Sequence, residues 1–292
     1  MHFKASHDAI QSSRSELKFT IDPRQATAIT DYLGARLRPD PHAVPGGYPV
    51  CSVYLDSADD LLMRQTNQGL RNRFKLRVRI YNDDPRQPAY LEIKRREGSA
   101  VKKQRCPVDR TIAATILSTQ QGAVRPPATS AGDPKTQQQW LAFQEFCRLR
   151  DMISAIGTTY VYYRREAFVS PHNTDWRATF DRQLVASPYV PGSPLRIPTD
   201  VVPAGGEQTV VFELKFTDRF PNWMRDLVQT FNLVAGPFPK YVTCRQCITP
   251  QRSDAPNDSP AVVPNRPSPI TTAGAVPSKF PQRRRTNPTG RS

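Results

Sequence analysis

Lysine and arginine alternate with apolar residues in separate stretches of this chain. Lys75-Leu76-Arg77-Val78-Arg79-Ile80 reads basic, apolar, basic, apolar. Leu91-Glu92-Ile93-Lys94 repeats the pattern with a carboxylate added, as does Val211-Phe212-Glu213-Leu214-Lys215-Phe216. Successive side chains on a strand point to opposite faces, so Lys75, Arg77 and Arg79 share one face. Glu92 shares a face with Lys94, and Glu213 with Lys215. The pairing Glu-x-Lys occurs at Glu16/Lys18, Glu92/Lys94 and Glu213/Lys215. Guanidinium forks take phosphate oxygens two at a time, and lysines supply compact point charges. Glutamates cannot bind phosphate directly, but they can hold a hard divalent cation that bridges phosphate oxygens. The set suits a metal–polyphosphate ligand. The plainer readings are solvent faces of half-exposed antiparallel strands, or an interior salt-bridge network. Against the second, cations outnumber carboxylates, and a buried surplus of charge is costly unless an anion enters.

The elements that must carry these residues follow from period and punctuation. Strands are expected at Glu16–Ile21, Cys51–Leu55, Arg73–Tyr81, Tyr90–Arg95, Val101–Val108, Thr158–Val169, Trp176–Leu184 and Gln208–Phe216. Short turns separate several of them, as in an antiparallel meander. Asp22-Pro23 fits a helix start, with Asp as cap and Pro in the first turn, running to about Leu37. Further helices are expected at Thr111–Leu117, Gln138–Leu149 and Asn222–Val234. So many strands with a charged face argue for an α+β fold: an antiparallel β tunnel barrel with a charged interior, covered by helices on its apolar outer face. Expected inward residues are Glu16, Lys18, Lys75, Arg77, Arg79, Glu92, Lys94, Lys103, Arg105, Arg177, Thr179, Asp181, Glu213 and Lys215. Arg164 and Arg165 are adjacent, so one of them points inward; Tyr160, Tyr162 and Phe168 mark the packed side and favour Arg165.

Composition bounds the partners. The chain has 292 residues and a formal net charge of +15, which asks for an anionic partner. Five scattered cysteines are no disulfide framework. Cys244-Arg-Gln-Cys247 lacks the second pair that zinc would want. No apolar run approaches the length of a membrane span, and the polar start lacks a signal-peptide core. A cytoplasmic protein is expected, with a membrane-protein partner left open. Residues 1–13 read as a disordered leader and 14–249 as the domain. Gln120–Thr136 reads as a mobile insertion. Residues 250–292, rich in Pro, Ser, Asn, Thr and Arg, read as a disordered basic tail.

Taken in order, Glu16-Leu-Lys18, Tyr54-Leu-Asp56-Ser57, Lys75-Leu-Arg77-Val-Arg79, Glu92-Ile-Lys94, Lys103-Gln-Arg105, Tyr163-Arg-Arg165, Arg177-Ala-Thr-Phe-Asp181, Glu213-Leu-Lys215 and Pro239-Lys240-Tyr241 resemble the VTC domain. That domain is the polyphosphate polymerase branch of the triphosphate tunnel metalloenzymes, a CYTH-like superfamily. The resemblance runs from about Arg14 to Cys247. It implies a tunnel that binds a triphosphate chain and transfers the terminal phosphate of ATP to growing polyphosphate, using Mn2+ or Mg2+. Under it, Arg77, Arg79 and Lys94 take the catalytic role. Lys18, Lys103, Arg165, Arg177 and Lys240 grip phosphate, and Lys75 and Lys215, placed on the same faces by strand alternation, are expected to join them. Arg64 matches a further basic position, although the loop before Lys75 differs in length. Glu213 holds the metal, with Glu16 assisting. ATP and polyphosphate are the implied partners, with no specific nucleic acid. A tunnel triphosphatase, an adenylate-cyclase-like member and a non-catalytic polyphosphate- or nucleotide-binding module stay open beside this reading. A nucleic-acid binder would want exposed aromatics among the basic residues, whereas the aromatics here read mainly on the apolar phase.

Overall fold

The computed structural model describes residues 14–98, 100–118, 134–171, 176–206 and 208–249. The expectations for the leader, for most of the insertion and for the tail fall outside them. In chain order the elements are β1 (Arg14–Ile21), α1 (Pro23–Gly34), β2 (Arg38–Pro39), β3 (Tyr48–Asp56), α2 (Leu61–Asn67), β4 (Arg73–Ile80), β5 (Ala89–Glu97) and β6 (Ala100–Val108). Then come α3 (Arg110–Ser118), α4 (Pro134–Met152), β7 (Ile156–Val169), β8 (Trp176–Pro188), β9 (Val202–Pro203), β10 (Val210–Thr217), α5 (Asn222–Thr230) and α6 (Lys240–Ile248). The start of α1 is as its sequence predicts. Asp22 caps the Gln25 amide at 2.8 Å, Gln25 reaches back to the Asp22 amide, and Pro23 opens the first turn. Neither α2 nor α6 is expected from apolar periodicity, and α5 stops four residues short of Val234.

One antiparallel sheet carries the molecule, in the order β1-β10-β8-β7-β3-β4-β5-β6, with β2 added to β7 and β9 to β8. Hydrogen bonding does not close it into the expected barrel, since no ladder among the described residues joins β1 to β6. The free edge of β1 is taken instead by the chain after α5. The Gly236 amide donates to the Lys18 carbonyl at 2.9 Å, and Phe19 bridges Ala235. The sheet is nonetheless rolled. Five strands separate β1 from β5, which in a flat sheet is roughly 29 Å. Yet Glu16 on β1 lies 3.9 Å from Lys94 on β5.

The outer face is apolar and covered by helices. Phe19, Ile21, Phe180, Phe212 and Leu214 pack under α1 and α5 through Ile29, Leu33, Met224 and Leu227. Val53, Leu76, Val78, Leu91 and Ile93 pack under α3 and α4 through Ile116, Phe143 and Phe146. The inner face carries the charges. At one end it turns apolar, where Val50, Tyr54, Val161, Tyr163, Leu184 and Ala186 meet Tyr241 and Cys244 of α6. The phase of β8 permits this. Gln183 adopts φ +54, and the register shifts opposite Tyr162 and Arg164. Arg182 therefore pairs with Glu166, while Leu184 turns inward. No helix among the described residues is long and apolar enough to cross a membrane.

Candidate functional site

Among the described residues, Lys18, Lys75, Arg77, Arg79, Lys94, Lys103, Arg105, Arg165, Arg177, Lys215 and Lys240 bring basic side chains to the inner face. The carboxylates of Glu16, Asp40, Glu92, Asp181 and Glu213 stand among them. Two of these are buried hubs. Glu213 accepts from Lys18 at 2.9 Å, Lys240 at 2.8 Å and Lys215 at 2.5 Å, with Arg165 at 3.7 Å. Burial alone would raise its carboxyl, but Lys215, Lys240, Lys18 and Arg165 hold it well below the usual carboxylate range. Glu92 binds Arg77 at 2.6 Å and has Arg79 at 3.6 Å. Its other oxygen has the Lys103 ammonium at 2.8 Å and Arg105 at 3.4 Å. It has no well-aligned hydrogen bond there, so that contact is ionic. Here too burial is outweighed, by Arg77, Arg79 and Lys103, and the carboxyl stays low.

Between the hubs, Asp181 takes a two-pronged grip from Arg165 at 2.6 and 2.7 Å and an ammonium from Lys240 at 2.7 Å. Glu16, half outside, holds Lys18 at 2.5 Å and Lys94 at 3.9 Å. Its carboxyl sits at about 2: burial and Glu213 push it up, and Lys215, Lys94 and Lys18 more than reverse them. Arg177 is held by Asp40 at 2.9 Å and touches the Tyr48 hydroxyl at 3.3 Å. Lys75, Lys94 and Lys103 stand directly opposite one another across β4, β5 and β6. Like charges in such positions repel. Lys75 has no hydrogen bond or ion pair among the described residues. Burial first, with Lys94, Arg73 and Lys18 adding repulsion, brings its ammonium down to about 8 although the Tyr54 phenol opposes them.

The site residues expected from sequence therefore converge, with one exception. Arg64 lies on α2, exposed, and pairs with Asp59 at 2.5 Å; a local carboxylate holds it rather than the inner face. Arg165 is the inward member of its pair. Arg164 points out and binds the carbonyls of Gly46 and Gly47. Lys240 reaches the cluster from the first turn of α6, not from a strand. Contrary to the expectation that the aromatics lie mainly on the apolar phase, Tyr48, Tyr54, Tyr81, Tyr90 and Tyr163 also face inward. Tyr81 and Tyr90 lie two positions from Arg79 and Glu92, so extending the same alternation would have found them. Tyr54 accepts from Arg77 at 2.9 Å and stacks on Tyr241 at 4.6 Å. Asp40 carries no periodic signal and is met only through the fold.

Whether a divalent ion fits depends on its partners. Among the described residues no group of three or more His, Cys, Asp or Glu could cage one, and both oxygens of Glu213 already face cations. Magnesium-type ions, however, are held by one or two carboxylates plus substrate phosphates. Glu213 and Glu16 are the carboxylates that could hold such an ion beside phosphate, if it displaced the ammonium groups that now face them.

Residues 13–249 match the VTC domain, and the chain belongs to that family. Among solved structures it is similar to a candidate adenylate cyclase from Bacillus halodurans, with 11% identity over 77% of this chain and 93% of that one, TM-score 0.44. A second candidate adenylate cyclase, from Vibrio parahaemolyticus, has 11% identity over 79% and 97%, TM-score 0.37. A Pyrococcus horikoshii protein has 9% identity over 79% and 96%, TM-score 0.38. No curated protein matches the chain.

Proposed function

We propose that this chain is an ATP:polyphosphate phosphotransferase, in which the rolled inner face holds phosphate chains. The observation that carries the reading is the charge balance of that face, on which cations well outnumber carboxylates among the described residues. A surplus of this kind is stabilised by a multivalent anion. In the reaction the bond from the terminal phosphorus of ATP to the bridging oxygen breaks, releasing ADP. A terminal oxygen of the polyphosphate chain forms the new bond, and the chain grows by one phosphate. Arg77, Arg79 and Lys94 contact the transferring group. Lys18, Lys75, Lys103, Arg165, Arg177, Lys215 and Lys240 align the rest of the phosphates. Alignment and charge neutralisation are most of what phosphoryl transfer needs. A divalent ion, when bound through Glu213 and Glu16, would neutralise charge developing on the phosphate oxygens.

An attacking polyphosphate oxygen is already ionised and needs no base, whereas an attacking water is helped by one. The test is to incubate the protein with ATP and manganese. Long-chain polyphosphate with matching ADP is expected. ADP with equal free phosphate and no chain would make it a hydrolase, and no turnover would leave a binding module.

A further inference from the structure

At the Arg79 end of the inner face stand three half-buried tyrosines that the phosphate chemistry does not use. Tyr81 follows Arg79 by two positions along β4, and Tyr90 pairs with Arg79 across β5. Their rings meet edge to face at 5.8 Å, and Tyr48 lies 6.4 Å from Tyr81. Arg105 links them to the charged cluster. Its guanidinium sits 3.6 Å over the Tyr90 ring, donates to the Tyr81 hydroxyl at 3.2 Å, and lies 3.4 Å from Glu92. Tyr48 in turn accepts from Arg177.

Tyr48 and Tyr81 border the apolar plug of Tyr163 and Tyr241, yet all three tyrosines stay partly open and are set among arginines. Aromatic rings and guanidinium planes are the surfaces on which nucleobases stack, largely irrespective of base identity. Two residues of strand, about 6.6 Å, separate the Tyr81 position from Arg79, a spacing suited to a ribose between a stacked base and its first phosphate. We infer that Tyr48, Tyr81, Tyr90 and Arg105 form the seat for the nucleoside of a nucleoside triphosphate whose phosphates lie on the adjoining basic face. This rests on the proposed function for the phosphates and adds the end at which the donor enters. Stacking is tolerant of base type, so ATP and GTP should bind alike.

The experiment is equilibrium titration with ATP, GTP, methyl triphosphate and inorganic triphosphate. ATP and methyl triphosphate carry the same charge, and methyl triphosphate has no base. The unaltered protein should bind ATP about tenfold more tightly than methyl triphosphate, the scale of one stacked base. Tyr81→Ala and Tyr90→Ala should each lose most of that advantage while keeping their affinity for inorganic triphosphate. Tyr81→Phe, which keeps the ring, should retain it. Equal binding of ATP and methyl triphosphate by the unaltered protein overturns the seat, and that arm needs no variant to fold. So does a parallel loss of inorganic triphosphate in both alanine variants, which would make the tyrosines structural. If inorganic triphosphate does not bind the unaltered protein at all, the phosphate reading fails instead.

Discussion

Glu92 and Glu213 sit where opposite charges are needed for the ligand-free protein to exist. Each is buried and each is met by four cations. Removing the charge of Glu92 would leave Arg77, Arg79, Lys103 and Arg105 facing one another without a counterion. Breaking a buried pair in this way costs about 3–5 kcal/mol. Glu92→Gln should therefore lower the urea midpoint sharply, and inorganic triphosphate should restore it by more than it stabilises the parent. A midpoint equal to the parent's would mean the cluster does not depend on that carboxylate. Lys75 gives the opposite sign. Its ammonium titrates near pH 8 in the folded chain and at about 10.4 when unfolded. Between those values the unfolded chain binds more protons, so the stability of the ligand-free protein rises with pH through that window. Lys75→Met should raise the melting temperature at pH 7, with the gain shrinking by pH 10. In the parent, affinity for inorganic triphosphate should fall as pH rises past 8. A Lys75→Met gain that does not change with pH would contradict the assignment. At this scale the sequence was largely legible, because alternation on β1, β4, β5 and β10 assigns each lysine, arginine and glutamate to a face. Arg64 was not, since nothing local distinguishes a basic helix residue held by Asp59 from one that reaches a tunnel.

Elements decide which of these residues meet. The loop between β2 and β3 is held close against β7, and Gly47 is the point of closest approach. It has φ +76, and a Cβ there would lie 2.7 Å from the Arg165 carbonyl oxygen. Gly47→Ala should displace the stretch of β7 that carries Arg165, reducing both stability and triphosphate affinity. A melting curve and a titration check this, and an alanine variant normal in both would show that the loop yields freely. At the other end α6 docks through Tyr241, whose hydroxyl donates to the buried Asp56 at 2.7 Å. Asp56 also accepts the amides of Ser57, Leu62 and Met63, tying the start of α2 to the plug. Tyr241→Phe should cost about 1–3 kcal/mol in denaturant unfolding, as a buried acceptor loses a donor, with little change in triphosphate affinity. A large loss of affinity would mean that the plug positions Lys240 through this bond. The helix α6 itself could not be read from periodicity, because its buried residues Tyr241, Val242 and Cys244 make no continuous stripe and its first residue, Lys240, serves the site. The inward turn of Leu184 depends on the bulge at Gln183, a backbone event that a two-residue period cannot anticipate.

For the whole molecule, the rolled sheet brings strands from both ends of the domain to one face, and this makes the net charge of +15 locally consequential. The alternation foretold the charged interior and helix-covered exterior. It did not foretell the open seam, because the competitor for the β1 edge is the Ala235–Gly236 segment, which has no strand pattern. A phosphate chain seated on the inner face is tested most directly by titrating the protein with inorganic triphosphate at several salt concentrations. Binding should weaken steeply as salt rises. Arg77→Ala and Arg79→Ala, each folded, should lose about 1.5–3 kcal/mol, the range for a hydrogen bond to a charged group. No binding, or unchanged affinity in both variants, would contradict a phosphate seat there.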